Sequence, residues 1–400
     1  DQTRADFDFD RGSNAAATRI NSSGLIEKYR ENLLLQSNNF GTTWSSINAS
    51  ETGGQSGYDG SNNAWVFTDN TATNIHSLAQ YGKWTTSVCT GSIYVKAGSL
   101  SKFYVSNGSS SIGAFFNLST GSVEGVIGAV IAQSITSVGS GWYHLSVTMQ
   151  SAGTFLIGTY ETFVGGDYDS TINYTGTSSN ILIQSAQLET GLVATEYLNS
   201  TSVTAKAGVL VDLPRINYDA NGENGALLLE PSRQNVVTNS EYVSSSDYVV
   251  GNWTGTITTN TTETLSPEGV YNATKFVKAG ASDRVYFHNS QPDGAYTGSI
   301  YLKAASGSEN KTIEISIRRF GGGGGSTTKL VTITNEWQRF DVSASNLTGG
   351  TTTAMYISDF SSAGTATDFY SYGMQIEAGS YPSSYIPNHG TSGGVTRAAD

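Results

Sequence analysis

Gly91-Ser92-Ile93-Tyr94-Val95-Lys96-Ala97 returns in the second half of the chain as Gly298-Ser299-Ile300-Tyr301-Leu302-Lys303-Ala304. In each copy the apolar residues alternate with Ser, Tyr and Lys. A period of two with β-branched and aromatic residues marks a strand with one buried face; a helix would bring apolar residues back every three or four positions. Other motifs recur around this one in the same order. Asn32-Leu33-Leu34-Leu35-Gln36-Ser37 returns as Asn235-Val236-Val237-Thr238-Asn239-Ser240, Trp44 as Trp253, and Asp59-Gly60 as Glu268-Gly269. Trp142 returns as Trp337, Gln187-Leu188-Glu189-Thr190-Gly191 as Gln375-Ile376-Glu377-Ala378-Gly379, and Tyr197 as Tyr385. The order never breaks while the spacing drifts, because loops tolerate length changes and strands do not. The chain therefore reads as two copies of one module.

Leu145 and Val147, and Ile181 and Ile183, show the same alternation, and Gly, Ser, Asn and Thr cluster between such runs as turn chemistry. No longer stretch keeps a good helical period. The expected fold class is all-β: two tandem β-sandwich (jelly-roll) modules, each preceded by a β-hairpin connector. The expected boundaries are a connector at 1–31, module one at 32–198, a connector at 199–234, module two at 235–388 and a linker at 389–400. The first hairpin is placed around Phe7, Phe9, the turn Arg11-Gly12-Ser13, Ala17 to Ile20 and Gly24 to Ile26. The second runs from Val209 to Asn217, through the turn Asp219-Ala220-Asn221-Gly222, to Gly225–Glu230.

Of 400 residues only 14% are charged, and the formal net charge is −12. That balance argues against nucleic acid, whose phosphates require a basic surface. No run approaches the ~18 apolar residues of a membrane-spanning helix. The single cysteine, Cys89, cannot form an internal disulfide, and its strand-like flanks suit a small buried hydrophobe. The chain opens with Asp and shows no leader pattern, so a processed chain or part of a longer one is expected.

No catalytic constellation is expected. His76, His144, His288 and His389 form no paired metal spacing. The run Gly321 to Gly325 lacks the Gly-Lys-Ser/Thr end of a phosphate loop. Arg318 and Arg319 beside it suit an anion or, more blandly, a solvated strand end. Asp167 and Asp169 flank Tyr168 in a glycine-rich loop and offer oxygen ligands for calcium, without the continuation of an EF-hand loop. The aromatic residues are the better lead, since a ring face accepts the apolar face of a sugar. Trp44, Trp253, Trp142 and Trp337 repeat and are expected in the structural core. Tyr58, Tyr81, Trp84, Tyr168, Tyr174, Tyr242 and Tyr248 do not repeat in register. They are the carbohydrate-binding candidates, with subunit contact as the competing reading.

Phe9-Asp10-Arg11-Gly12-Ser13, Ala17-Thr18-Arg19-Ile20-Asn21 and Gly24-Leu25-Ile26-Glu27 resemble the opening of a domain type found in phage tail fibres and head or tail spikes, notably of marine phages. Leu213-Pro214-Arg215-Ile216-Asn217-Tyr218 and Gly225 to Asn235 resemble its next section. Gln375 to Gly379, Tyr385-Ile386-Pro387 and Val395 to Asp400 resemble its close. The sandwich bodies resemble carbohydrate-binding jelly rolls of the galactose-binding type, which open as Asn32 to Trp44 do. The first copy lacks the Leu-Pro-Arg-Ile-Asn-Tyr section, which implies an abbreviated connector. Such jelly rolls often hold a structural calcium where first and last strands meet. The resemblance would give Glu189 or Glu377 that role, against the alternative of a strand-end carboxylate bonded to backbone amides or an arginine. No other cofactor is expected.

The resemblance implies a non-enzymatic virion protein, a fibre or spike segment that binds a host-surface glycan. Its implied partners are itself, as a homotrimer, and other virion proteins, with no membrane insertion. The alternative is a carbohydrate-binding array of a secreted polysaccharide-degrading enzyme or a bacterial adhesin.

Overall fold

The computed structural model describes residues 11, 16–219, 221–250, 253–321, 324–358 and 364–400. The expected strands at Phe7 and Phe9, the Gly12-Ser13 part of the first turn, Ala220 of the second and the middle of the glycine run lie outside them. Every strand pairing among the described residues is antiparallel, and the sole helix among them is the short Tyr168–Ile172.

The chain forms two compact units. One is Arg30–Ala207; the other joins the segment ending at Tyr29 to Gly208–Asp400. In chain order the first sandwich is thus nested inside the second unit.

In Arg30–Ala207, one sheet runs Val130–Gly139, Trp142–Met149, Cys89–Ala97, Asn180–Thr190, Ala64–Asp69, Ala49–Gln55. The other runs Ser122–Ile127, Ile112–Asn117, Lys102–Asn107, Gly153–Thr159, Thr73–Trp84, with Asn173–Thr175 and Ser45–Ile47 both on Thr73–Trp84. The inward set of each strand follows from its alternation. Ile93, Val95, Leu145, Val147, Ile181 and Ile183 meet Leu78, Phe103, Val105, Phe155 and Ile157 in a closed apolar core, and Cys89 lies in it.

The second unit repeats the strand order. One sheet runs Gln338–Leu347, Gly294–Ala304, Asp368–Ala378, Thr274–Val277, Thr256–Thr258; the other runs Ser326–Thr332, Thr312–Phe320, Thr352–Ile357, Val285–Ser290, Tyr248–Val249. The repeat holds to the residue. Tyr94 lies opposite His144 on one side and Gln184 on the other. Tyr301 lies opposite Arg339 and Tyr372. Ser185 and Gly373 occupy the same irregularity in the last strand, with φ of 55° and 63°. The left-handed backbone there suits glycine best and costs serine strain.

A small β-block completes the second unit. Thr18–Ile20 pairs with Ile26–Lys28, Ile216–Asn217 with Ala226–Leu227, and Arg233–Asn235 with Val395–Arg397. The amide of Tyr218 donates to Ile20 O at 3.0 Å, and Asn217 Oδ1 accepts from the Ile20 amide at 2.8 Å. Three arginines pin these pieces. Arg215 binds Asp400, Glu230 and Thr18 O; Arg397 binds Glu230 and Pro231 O; Arg11 reaches Leu213 O and Asp400. All three rank among the largest fully buried side chains. The Leu213-to-Tyr218 section that the first copy lacks therefore sits beside the first copy's own hairpin. The nested sandwich divides one connector into two halves. Its entry and exit strands, Arg30–Asn32 and Ala205–Ala207, pair with each other.

Candidate functional site

The outer face of the Cys89–Ala97 sheet carries the side chains that alternate away from the core. Tyr58, from the loop after Ala49–Gln55, lies flat on Tyr94, with ring centroids 3.6 Å apart and planes 5° from parallel. His144 is 4.6 Å from Tyr94 on its other flank, and Trp142 meets Tyr58 edge-on at 6.3 Å. Gln184 fixes the loop: its Oε1 accepts the Tyr58 amide at 3.1 Å and its Nε2 donates to Asp59 Oδ1 at 3.2 Å. The Ser61 hydroxyl on Asp59 holds that carboxyl below the usual range. Burial pushes the Tyr94 phenol up to about 12 and the His144 imidazole down to about 4, so both are neutral near pH 7. The result is a pair of neutral rings beside the exposed Asp59 carboxylate, with the Gln184 amide buried and spent on holding the loop. Rings of this kind stack on apolar ligand faces, and a carboxylate accepts from hydroxyls.

The same register positions in the second unit are roofed. Ile26, Tyr372 and Tyr385 form a buried cluster joined by Ile20, Tyr301 and Trp337. Lys28 reaches under the hairpin to Glu241 at 2.9 Å and Glu268 at 2.6 Å. Glu241 also accepts from the hydroxyls of Tyr372 and Tyr385. The two carboxylates hold Lys28 charged, well above the usual lysine range, although burial alone would lower it.

Of the seven expected sugar-stacking rings, Tyr58 keeps an aromatic setting at the surface. Four are buried, which corrects the expectation for them. Trp84 packs in the core against Phe155 and donates to Ser106 O. The Tyr168 hydroxyl pairs with Ser106, that of Tyr174 with Asp69 and Thr159, and that of Tyr248 donates to Asn239 O. Tyr168 is buried because its glycine-rich loop and short helix fold over Tyr104, Phe115 and Leu156 on the other sheet. A ring closed on both faces offers a ligand nothing. Tyr81 is 65% exposed but belongs to the Thr73–Trp84 strand of that other sheet, and Tyr242 is half-buried.

Glu189, Glu377 and Asp167, named for calcium, are each bonded within the chain. Glu189 accepts from Gln187, the Thr195 amide and the Thr195 hydroxyl, so both its oxygens are engaged. Glu377 repeats the pattern with Gln375 and Ser383, with Arg233 at 3.6 Å. Asp167 caps the short helix by accepting from the Ser170 amide and hydroxyl, and Asp169 is the acidic residue of its first turn. Among the described residues no group of three or more His, Cys, Asp or Glu could hold a metal.

Trp44 and Trp142 are buried, whereas Trp253 and Trp337 are partly buried at core margins. The structure also gathers rings that the sequence did not single out. Tyr286 stacks on Tyr356 at 4.4 Å, Phe320 flanks both, and Arg318 lies over Tyr356 at 5.6 Å. Arg319 is not an open anion site: it binds Asp293 at 2.8 Å and Gly350 O.

No protein-family model matches this chain, and no curated protein matches it. Among solved structures it is similar to the enzymatically active domain of tailspike protein 4 of bacteriophage CBA120, at 11% identity and TM-score 0.28, covering 36% of this chain and 21% of that one. The chain therefore spans about a fifth of that domain. It is also similar to the tandem CBM22-1–CBM22-2 domain of Paenibacillus barcinonensis Xyn10C, at 12% identity and TM-score 0.27, covering 92% of this chain and all of that one. The C-terminal family 22 carbohydrate binding module of Clostridium thermocellum Xyn10B gives 14% identity and TM-score 0.26, covering 36% and 92%. Likenesses this distant attach no ligand to any residue above.

Proposed function

We propose that this chain is a non-catalytic glycan-binding protein whose ligand face is the Tyr58–Tyr94 platform on the nested sandwich. The supporting observation is the flat 3.6 Å stack of two neutral rings, held by Gln184 and edged by Asp59. A rigid aromatic face loses little entropy on binding. On a glycan array the intact chain should retain a defined set of neutral saccharides, and Tyr58→Ala should lose them with the fold intact. Retention unchanged in Tyr58→Ala would end this assignment.

The setting is a surface-bound or secreted array of carbohydrate-binding sandwiches. A second reading, a segment of a phage fibre or spike, is favoured by one observation. The separate stretches that resemble such proteins join in one β-block through Arg215, Arg397 and Asn217. A fibre segment should be a homotrimer in light scattering at micromolar concentration, and an enzyme appendage a monomer.

A further inference from the structure

Arg339 occupies the position that His144 holds in the nested sandwich. Its guanidinium lies over the Tyr301 ring at 5.5 Å and donates to Ser383 O and Ser299 Oγ. Among the described residues it has no carboxylate within ion-pair distance, and its Nε has no hydrogen-bond partner. Its neighbours differ. Arg215 and Arg397 share Glu230, and Arg19 is paired with Glu27 at 2.6 Å. An uncompensated, partly buried cation is costly to fold around.

Arg339 lines a groove of about 230 Å³ between the sandwich face and the hairpin, together with Arg19, Ile20, Asn217 and Tyr301. Glu230 also lines it, but that carboxylate is committed to Ser384, Arg215 and Arg397. The Tyr301 ring is already packed against Tyr372 and covered by the Arg339 guanidinium, and the Arg19 guanidinium is paired with Glu27, which leaves Arg339 as the cation without a carboxylate among the described residues. The groove therefore combines a guanidinium without a carboxylate partner and room for one sugar-sized ring, on a chain whose overall charge is −12.

We infer that this groove is a second ligand site, specific for a carboxylate-bearing sugar such as a uronic acid residue, with Arg339 as the carboxylate partner. It is separate from the Tyr58 platform, whose edge carries the Asp59 carboxylate rather than a cation. Guanidinium–carboxylate pairing is directional and charge-assisted.

The test is titration of the intact chain with methyl glucuronide, methyl glucoside and acetate, followed by amide chemical shifts. The glucuronide should perturb residues around 299–301, 339 and 383–385, and the glucoside at equal concentration should not. Arg339→Met should weaken the glucuronide by about tenfold or more. Arg339→Lys should keep part of the affinity, and Tyr58→Ala all of it. Equal response to glucoside and glucuronide would overturn the inference. So would indifference of both Arg339 variants, or acetate or an acidic peptide competing as well as the glucuronide. Because Tyr58→Ala reports on the platform alone, failure of either site is distinguishable from failure of the other.

Discussion

Asn32 and Asn235 hold the same place in the two sandwiches and make the same bonds. Asn32 Nδ2 donates to Ala186 O and Leu198 O while its Oδ1 accepts from the Leu188 amide; Asn235 does this with Met374 O, Ile386 O and the Ile376 amide. Each side chain thus laces the opening segment of its sandwich to the last strand and to the chain beyond it. Removing it orphans buried backbone groups. Asn32→Ala should cost the nested sandwich about 2–3 kcal/mol and leave the second unit unchanged, with Asn235→Ala doing the reverse. Segment-resolved amide exchange reads the two separately.

The two register-equivalent tryptophans should respond unequally. Trp142 is 2% exposed, so Trp142→Ala should destabilise the nested sandwich by about 3–5 kcal/mol. Trp337 is partly buried under the hairpin and donates to Leu265 O at 2.8 Å. Its alanine variant should cost about 1–2 kcal/mol, concentrated in that cover. Denaturant unfolding of both variants checks the ranking, and equal losses would contradict it.

Lys28→Met leaves Glu241 and Glu268 facing each other without their shared cation. Breaking a buried pair in this way typically costs about 3–5 kcal/mol. The hairpin at 18–28 should exchange its amides first, and the wild-type protection should change little with salt, because a buried pair is weakly screened.

His144 predicts a pH dependence. Burial lowers its folded-state value to about 4, so the unfolded chain binds a proton in a window where the folded chain does not. Stability from the neutral ring is present above about pH 6.5 and is lost as pH falls toward 4. The loss should be on the order of 2 kcal/mol after allowing for partial exposure. His144→Gln should flatten this limb for the nested sandwich. The second unit keeps its own partly buried histidine, His389, pushed down to about 3 by desolvation, and should titrate as before.

The repeating strands were legible because alternation is local and each motif appears twice. The pairing of Tyr94 with His144 and of Tyr301 with Arg339 follows once the Trp142 and Trp337 strands are aligned. The split connector was not legible. Ile20 and Asn217 lie on either side of a whole sandwich, and nothing local says that they bond. Burial of Tyr168 and Tyr174 was hidden for the same reason, since a loop composition rich in Gly, Ser and Asp does not reveal that the loop lies down on a sheet. In the sequence Tyr94 is one rung of a strand like any other. Its partner Tyr58 comes from a distant turn, and that stack is a tertiary event.

The adjacency of Arg30–Asn32 and Ala205–Ala207 has an evolutionary corollary. A domain whose two ends meet can be cut out or exchanged without asking its host to span a gap. Gly208, with φ of 81° and space for no Cβ against Lys28 O, marks where the host chain resumes. Joining Tyr29 directly to Gly208 would restore an uninterrupted connector on the host side. Exchange at that seam would replace one sandwich by another while the host's arginine-pinned block kept its own bonds.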